Sequence, residues 1–131
     1  MKPIPLLLAL SLLTSACDSG APSFGDLTQD PSLLVGSWEL VRVHSYWGGE
    51  AGPVDYDGPT ATVQFRADGT FERATAGEVR SEGTYEVEGE SIYVTAEYGR
   101  SWLGAFGVDR DDLIVDDRAR DGAAEYYRRV E

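Results

Sequence analysis

Thr60-Ala61-Thr62-Val63-Gln64-Phe65-Arg66-Ala67-Asp68-Gly69-Thr70-Phe71 is the stretch that decides the fold. Apolar and polar residues alternate along its first half. Ala61, Val63 and Phe65 point to one face, and Thr62, Gln64 and Arg66 to the other. A period of two is the mark of a strand buried on one side. Ala67-Asp68-Gly69 then reverses the chain, because glycine takes the positive φ of a tight hairpin turn without steric cost. Residues 71–75 read as the returning strand.

The pattern continues downstream. Residues 78–80 read as a short strand, and 83–88 alternate with Tyr85 and Val87 inward. A turn at 88–91 leads into a strand over 91–98, with Ile92, Val94 and Ala96 on one face. Residues 102–108 are apolar but interrupted by Gly104 and Gly107, so they predict a weaker strand. Short strands follow at 113–115 and 124–130, with turns between. Upstream, residues 37–44 are rich in β-branched and aromatic side chains and predict the first strand. Pro31 opens a turn of 3₁₀ helix just before it. The segment 48–59, with four glycines and two prolines, is a loop. No segment sustains a 3.6-residue apolar period. Short strands at 8–12-residue spacing predict an all-β barrel or sandwich of about eight to ten strands.

The N-terminal segment is of a different kind. Met1 and Lys2 precede an apolar run over 4–13, and the small residues Thr14, Ser15 and Ala16 lead to Cys17. This is the pattern of a secretory signal. The run is far below the ~20 residues that span a bilayer. Residues 18–30, with Gly, Pro, Ser and Asp, read as a flexible tether with a typical reach of roughly 20 Å. The expected division is therefore a signal peptide (1–16), Cys17 with its tether (17–30) and a single domain (31–131), within a chain of 131 residues.

The 11 basic and 23 acidic side chains give a formal charge of −12. Loss of residues 1–16 would remove Lys2, the only lysine, and make the balance more acidic still. Such a surface repels nucleic-acid phosphates and anionic headgroups, which argues against binding to either by charge. Cys17 is the only cysteine, so no internal disulfide can form and the thiol needs a separate role.

Leu13-Thr14-Ser15-Ala16-Cys17 resembles the lipobox of bacterial lipoprotein precursors, with Leu13 one place further from Cys17 than usual. The resemblance implies diacylglyceryl transfer to the Cys17 sulfur and cleavage before it. The protein would then be lipid-anchored at the bacterial cell envelope, facing the extracytoplasmic side. Each buried CH₂ contributes ~0.8 kcal/mol, and two or more acyl chains hold a protein stably. Asp18 implies inner-membrane retention in some Gram-negative bacteria, and the choice of membrane stays open. An ordinary cleaved signal with Cys17 as a chance thiol is the alternative.

A second resemblance covers residues 33–131. Gly36-Ser37-Trp38 resembles the Gly-x-Trp motif of the lipocalin superfamily. With residues 65–71, then Glu82-Gly83-Thr84-Tyr85-Glu86-Val87, then Tyr126-Tyr127-Arg128-Arg129-Val130, the set is similar to small bacterial lipocalin-like lipoproteins. The resemblance implies a small up-and-down antiparallel β-barrel of about eight strands. Trp38 would plug its closed end, with an arginine of the last strand across the ring, a contact worth ~0.5–2 kcal/mol. Arg129 is assigned that place and Arg128 is the alternative, since adjacent strand residues face opposite sides. A sandwich with Trp38 as ordinary core is the competing fold.

The expected role is non-catalytic, in a monomer: binding of a small apolar or amphipathic ligand, which the family likeness and the inward aromatics motivate. Phe65, Phe71, Tyr85, Val87, Val94 and Trp102 are the inward candidates, which can line a pocket or fill it. The competing role is structural or a protein interaction, suggested by Tyr46-Trp47 and the aromatics of 98–106. His44 is the only histidine, with no Gly-x-Ser-x-Gly elbow, and reads as an ordinary strand-end residue. Asp109, Asp111, Asp112, Asp116, Asp117 and Asp121 lack EF-hand spacing and are interleaved with arginines, so they read as solvated turns rather than a metal site. No cofactor is expected.

Overall fold

A computed structural model describes residues 22–45, 52–120 and 122–130. Nine strands occur in it: β1 (Gly36–Ser45), β2 (Val54–Asp55), β3 (Ala61–Phe65), β4 (Thr70–Thr75), β5 (Glu78–Glu88), β6 (Ser91–Ala96), β7 (Gly99–Val108), β8 (Asp112–Asp116) and β9 (Ala123–Val130). From β3 to β9 each strand pairs antiparallel with the next, β1 pairs with β3, and β9 returns to β1. The result is a closed, eight-stranded, up-and-down barrel with β2 attached beside β1. Closure removes every sheet edge but the short β2 and the upper part of β5, and it excludes the sandwich.

The alternation that predicts the strands also sets their faces. Val63 and Phe65 on β3, Phe71 on β4, Ile92 and Val94 on β6, and Phe106 and Val108 on β7 are all buried in one interior cluster. β5 is a single strand rather than the two pieces expected from its sequence. It changes partner from β4 to β6 around Gly83. A Cβ at Gly83 would run into the Thr95 carbonyl, so a glycine at this position permits the continuity.

One end of the barrel is a floor. The 3₁₀ turn Pro31–Leu34 crosses it, with Asp30 capping the turn by accepting from Ser32 N, and Leu34 buried. The hairpin at 66–69 and the turns at 89–90 and 109–111 share this end. The opposite end is the mouth, ringed by the hairpins at 76–77 and 97–98 and the segment 117–120. Among the described residues, no helix is long and apolar enough to cross a membrane.

The expected tether ends earlier than its composition suggests. Phe24–Asp26 forms a 3₁₀ turn, and Thr28 makes a reciprocal pair of backbone hydrogen bonds with Val108 at 3.1 and 2.8 Å. Leu27, only 8% exposed, packs with Ile114 and Ala124, flanked by Phe24 and Tyr126. This second cluster lies outside the barrel wall. Gly107 accommodates it, because a Cβ there would press on Leu27 and Phe24. Two apolar side chains in a polar stretch are enough to turn part of a tether into a strap.

Candidate functional site: the lumen and its mouth

The floor is built from both ends of the barrel domain. Trp38 on β1 is aligned with Arg129 on β9, and both face inward. The Arg129 guanidinium lies over the indole, 4.2 Å from the ring centre. Its N–H groups donate to three backbone carbonyls, those of Arg110, Val35 at 2.9 Å and Leu33 at 2.8 Å. Trp38 Nε1 donates to Leu34 O at 2.9 Å. Gly36 sits at φ +144°, and a Cβ there would collide with Arg129 Nη1. The Gly-x-Trp spacing thus has a local cause: the glycine clears the space that the arginine fills. Arg128, one residue earlier, is exposed and aligned with Asp112 and Glu39 on the outer face.

Above the floor the barrel is packed. Phe65 and Tyr85 meet edge to face, with centroids 4.9 Å apart. The Tyr85 hydroxyl donates to Arg66 O at 3.0 Å, and burial raises its pKa. Val87 packs against the same cluster. Phe65, Tyr85 and Val87 therefore fill the barrel rather than line a cavity.

The packing stops at a polar bar. Arg73 on β4 and Glu125 on β9 face each other across the lumen, two strands intervening, with Nη2 to Oε1 at 3.5 Å. The Tyr127 hydroxyl donates to the same Oε1 at 2.7 Å. Burial first, and the Glu125 charge second, push the Tyr127 phenol well above its ordinary pKa, so it stays a donor. Beneath the bar lie Phe71, Val63 and Leu40, all buried.

A cavity of about 360 Å³ opens at the mouth beside Arg73, bordered by Phe71, Arg73, Val94, Leu103, Arg100 and Asp117 among others. Of the six inward candidates, Phe71 and Val94 border it through the lumen. Trp102 reaches only its lip. The register shifts between Ile92 and Tyr93, which places Trp102 opposite Tyr93 on the outer face. There its Nε1 donates to Ser91 Oγ at 3.0 Å, and Arg120 lies over the ring at 5.1 Å. A bulge reverses the inside and outside of every later residue on a strand, and alternation alone does not reveal it.

A shallow outer groove runs from Trp102 to His44. Arg118 grips Asp116 through two bonds, at 3.0 and 2.8 Å, and places Nη1 2.9 Å from His44 Nδ1. Burial alone would raise the Asp116 carboxyl, but hydrogen bonds and charge from Arg118 outweigh it and hold the pKa below the ordinary value. Asp109 caps its turn by accepting from Asp111 N and Asp112 N at 2.9 and 2.8 Å. Among the described residues no group of His, Cys, Asp or Glu is arranged to hold a metal ion. Cys17, Tyr46, Trp47 and Asp121 lie outside the described residues.

No protein-family model matches the chain, and no curated protein matches it significantly.

Proposed function

We propose that this chain is a lipoprotein of the bacterial envelope, held by acyl chains on Cys17, whose barrel takes up one small amphipathic molecule at its mouth. The observation that carries the binding reading is the cavity of about 360 Å³ at the mouth, beside Arg73. Its volume falls in the range of small-molecule sites, which combine apolar walls with a few placed polar groups. The packed lower barrel limits the ligand to a small one. The lipobox-like stretch ending at Cys17 and the resemblance to lipocalin-like lipoproteins support the address and the role. The reading is of a non-catalytic monomer.

Two experiments test it. Filling the cavity with Val94→Trp should abolish uptake of a small amphipathic fluorophore that the natural chain binds; equal binding by both proteins would refute the mouth as the site. Cys17→Ala should release the protein from the membrane fraction, and unchanged fractionation would refute the anchor.

A protein-interaction role has one observation of its own. Tyr98 at the tip of the β6–β7 hairpin is 96% exposed, and Val79 beside it is 50% exposed. Both sit on the mouth rim, where a partner would also close the cavity.

A further inference from the structure

The barrel wall is not paired to the rim on every side. β4 pairs with β5 from Glu78 to Thr84, with one bulge at Arg80. On the other side of β5, β6 pairs only with Thr84 to Glu88. Among the described residues, 78–82 therefore have a strand on one side only. The break has a cause in the sequence. At an unbroken register Glu82 would stand opposite Glu97, and like charges directly across a sheet are destabilising. The chain turns instead at Glu97 and Tyr98 and returns as β7. An outer groove of about 450 Å³ is left between Val79–Glu82 and Ala96–Tyr98. It shares Ser81, Ala96 and Tyr98 with the mouth cavity, so the open edge is also a notch in the wall. Val79 and Tyr98, 50% and 96% exposed, are its apolar flanks. Glu82 and Glu97 are exposed and have no ion pair among the described residues, while Arg80 is paired with Glu78 at 3.5 Å.

We infer that the upper part of β5 is a docking edge for a basic, extended segment of another protein, which adds as a strand beside residues 78–82. Such additions take affinity from main-chain hydrogen bonds and specificity from alternate side chains. A basic side chain of the incoming strand lies between Glu82 and Glu97 and relieves the repulsion that stops β6. Its apolar side chains cover Val79 and Tyr98. A second copy of this chain is disfavoured as the occupant, because it brings the same Glu78 and Glu82 on its own edge and a total charge of −12. The inference rests on the rim-partner reading above and is independent of small-molecule uptake.

Three blocked, fluorescein-labelled heptapeptides test it by anisotropy against the full-length chain at low ionic strength. The first alternates lysine and valine, and the second alternates glutamate and valine. The third is the first with N-methyl groups on two successive central amides, which face opposite edges of a strand and so block pairing on either. The lysine peptide should bind about tenfold tighter than each of the others. Glu82→Lys/Glu97→Lys, its fold checked by circular dichroism, should reverse the preference between the lysine and glutamate peptides. Tyr98→Ser should weaken the lysine peptide. If the methylated peptide binds as well as its parent and Tyr98→Ser weakens both, strand addition is overturned and rim docking stands. An unchanged charge preference in Glu82→Lys/Glu97→Lys, or no binding of the lysine peptide, overturns both. A dimer in sedimentation that the lysine peptide dissociates would assign the edge to a second copy and overturn the inference.

Discussion

Replacing Arg129 by Met keeps the length and apolar stem of the side chain and removes its guanidinium. The loss can be worked from the contacts. The ring contact with Trp38 at 4.2 Å is worth about 1 kcal/mol at a partly exposed site. Each guanidinium-to-carbonyl bond is worth about 1.5 kcal/mol at the low end for charged donors. The bonds to Arg110 O and Val35 O lie at an exposed edge, where water takes over much of the role, whereas the Leu33 bond is part-buried. A destabilisation of about 3 kcal/mol follows. Equilibrium urea unfolding followed by tryptophan fluorescence should show the midpoint falling by about 2 M at unchanged slope, for a slope of about 1.5 kcal/mol per M. Arg128→Met, on the exposed outer face, should stay within about 0.5 kcal/mol of the natural chain. A midpoint shift for Arg129→Met no larger than that of Arg128→Met would refute the account of the floor.

Leu27→Ala should cost about 2 kcal/mol, because it empties the outer cluster over Ile114 and Ala124. Amide exchange at Thr28 and Val108 should quicken with it, and unchanged protection there would mean that the strap is held by its backbone alone. Asp116→Asn tests the grip of Arg118. The folded carboxyl titrates below its unfolded value, so its stabilising effect is present above the ordinary aspartate range and is lost as pH falls through the folded pKa. Asp116→Asn should therefore be less stable than the natural chain at pH 7, by a margin that closes below about pH 4. A margin independent of pH would show that the charge contributes nothing.

Much of the barrel was legible because its strands are buried on one face. Ala61, Val63 and Phe65, then Ile92, Val94 and Ala96, announce their faces through a period of two. The floor was legible through likeness rather than periodicity. Nothing in Arg128-Arg129 separates the two arginines until the register sets one beside Trp38. Three features escaped for distinct physical reasons. The Arg73–Glu125 bar joins strands that are not neighbours in the sheet, so no local pattern links them. Trp102 was misplaced by a bulge, which inverts alternation without altering composition. The strap was hidden because composition averages over a window, and two apolar residues decide where the segment sits.

The floor contact also has a consequence for how the barrel is made. Arg129 and Val35 stand 94 residues apart along the chain, and β1 pairs with β9 over nearly its whole length. Every other neighbouring pair among β3 to β9 is a local hairpin that can form as soon as its second strand is available. The seam between β1 and β9 must wait for both, and distant pairings of this kind set slow folding rates. Until that seam zips, Trp38 has no cation above it and the Gly36 gap stays empty. A chain in that condition is a curled sheet with a greasy inner face and two raw edges. Such a species is aggregation-prone and hence a natural client for a holding chaperone.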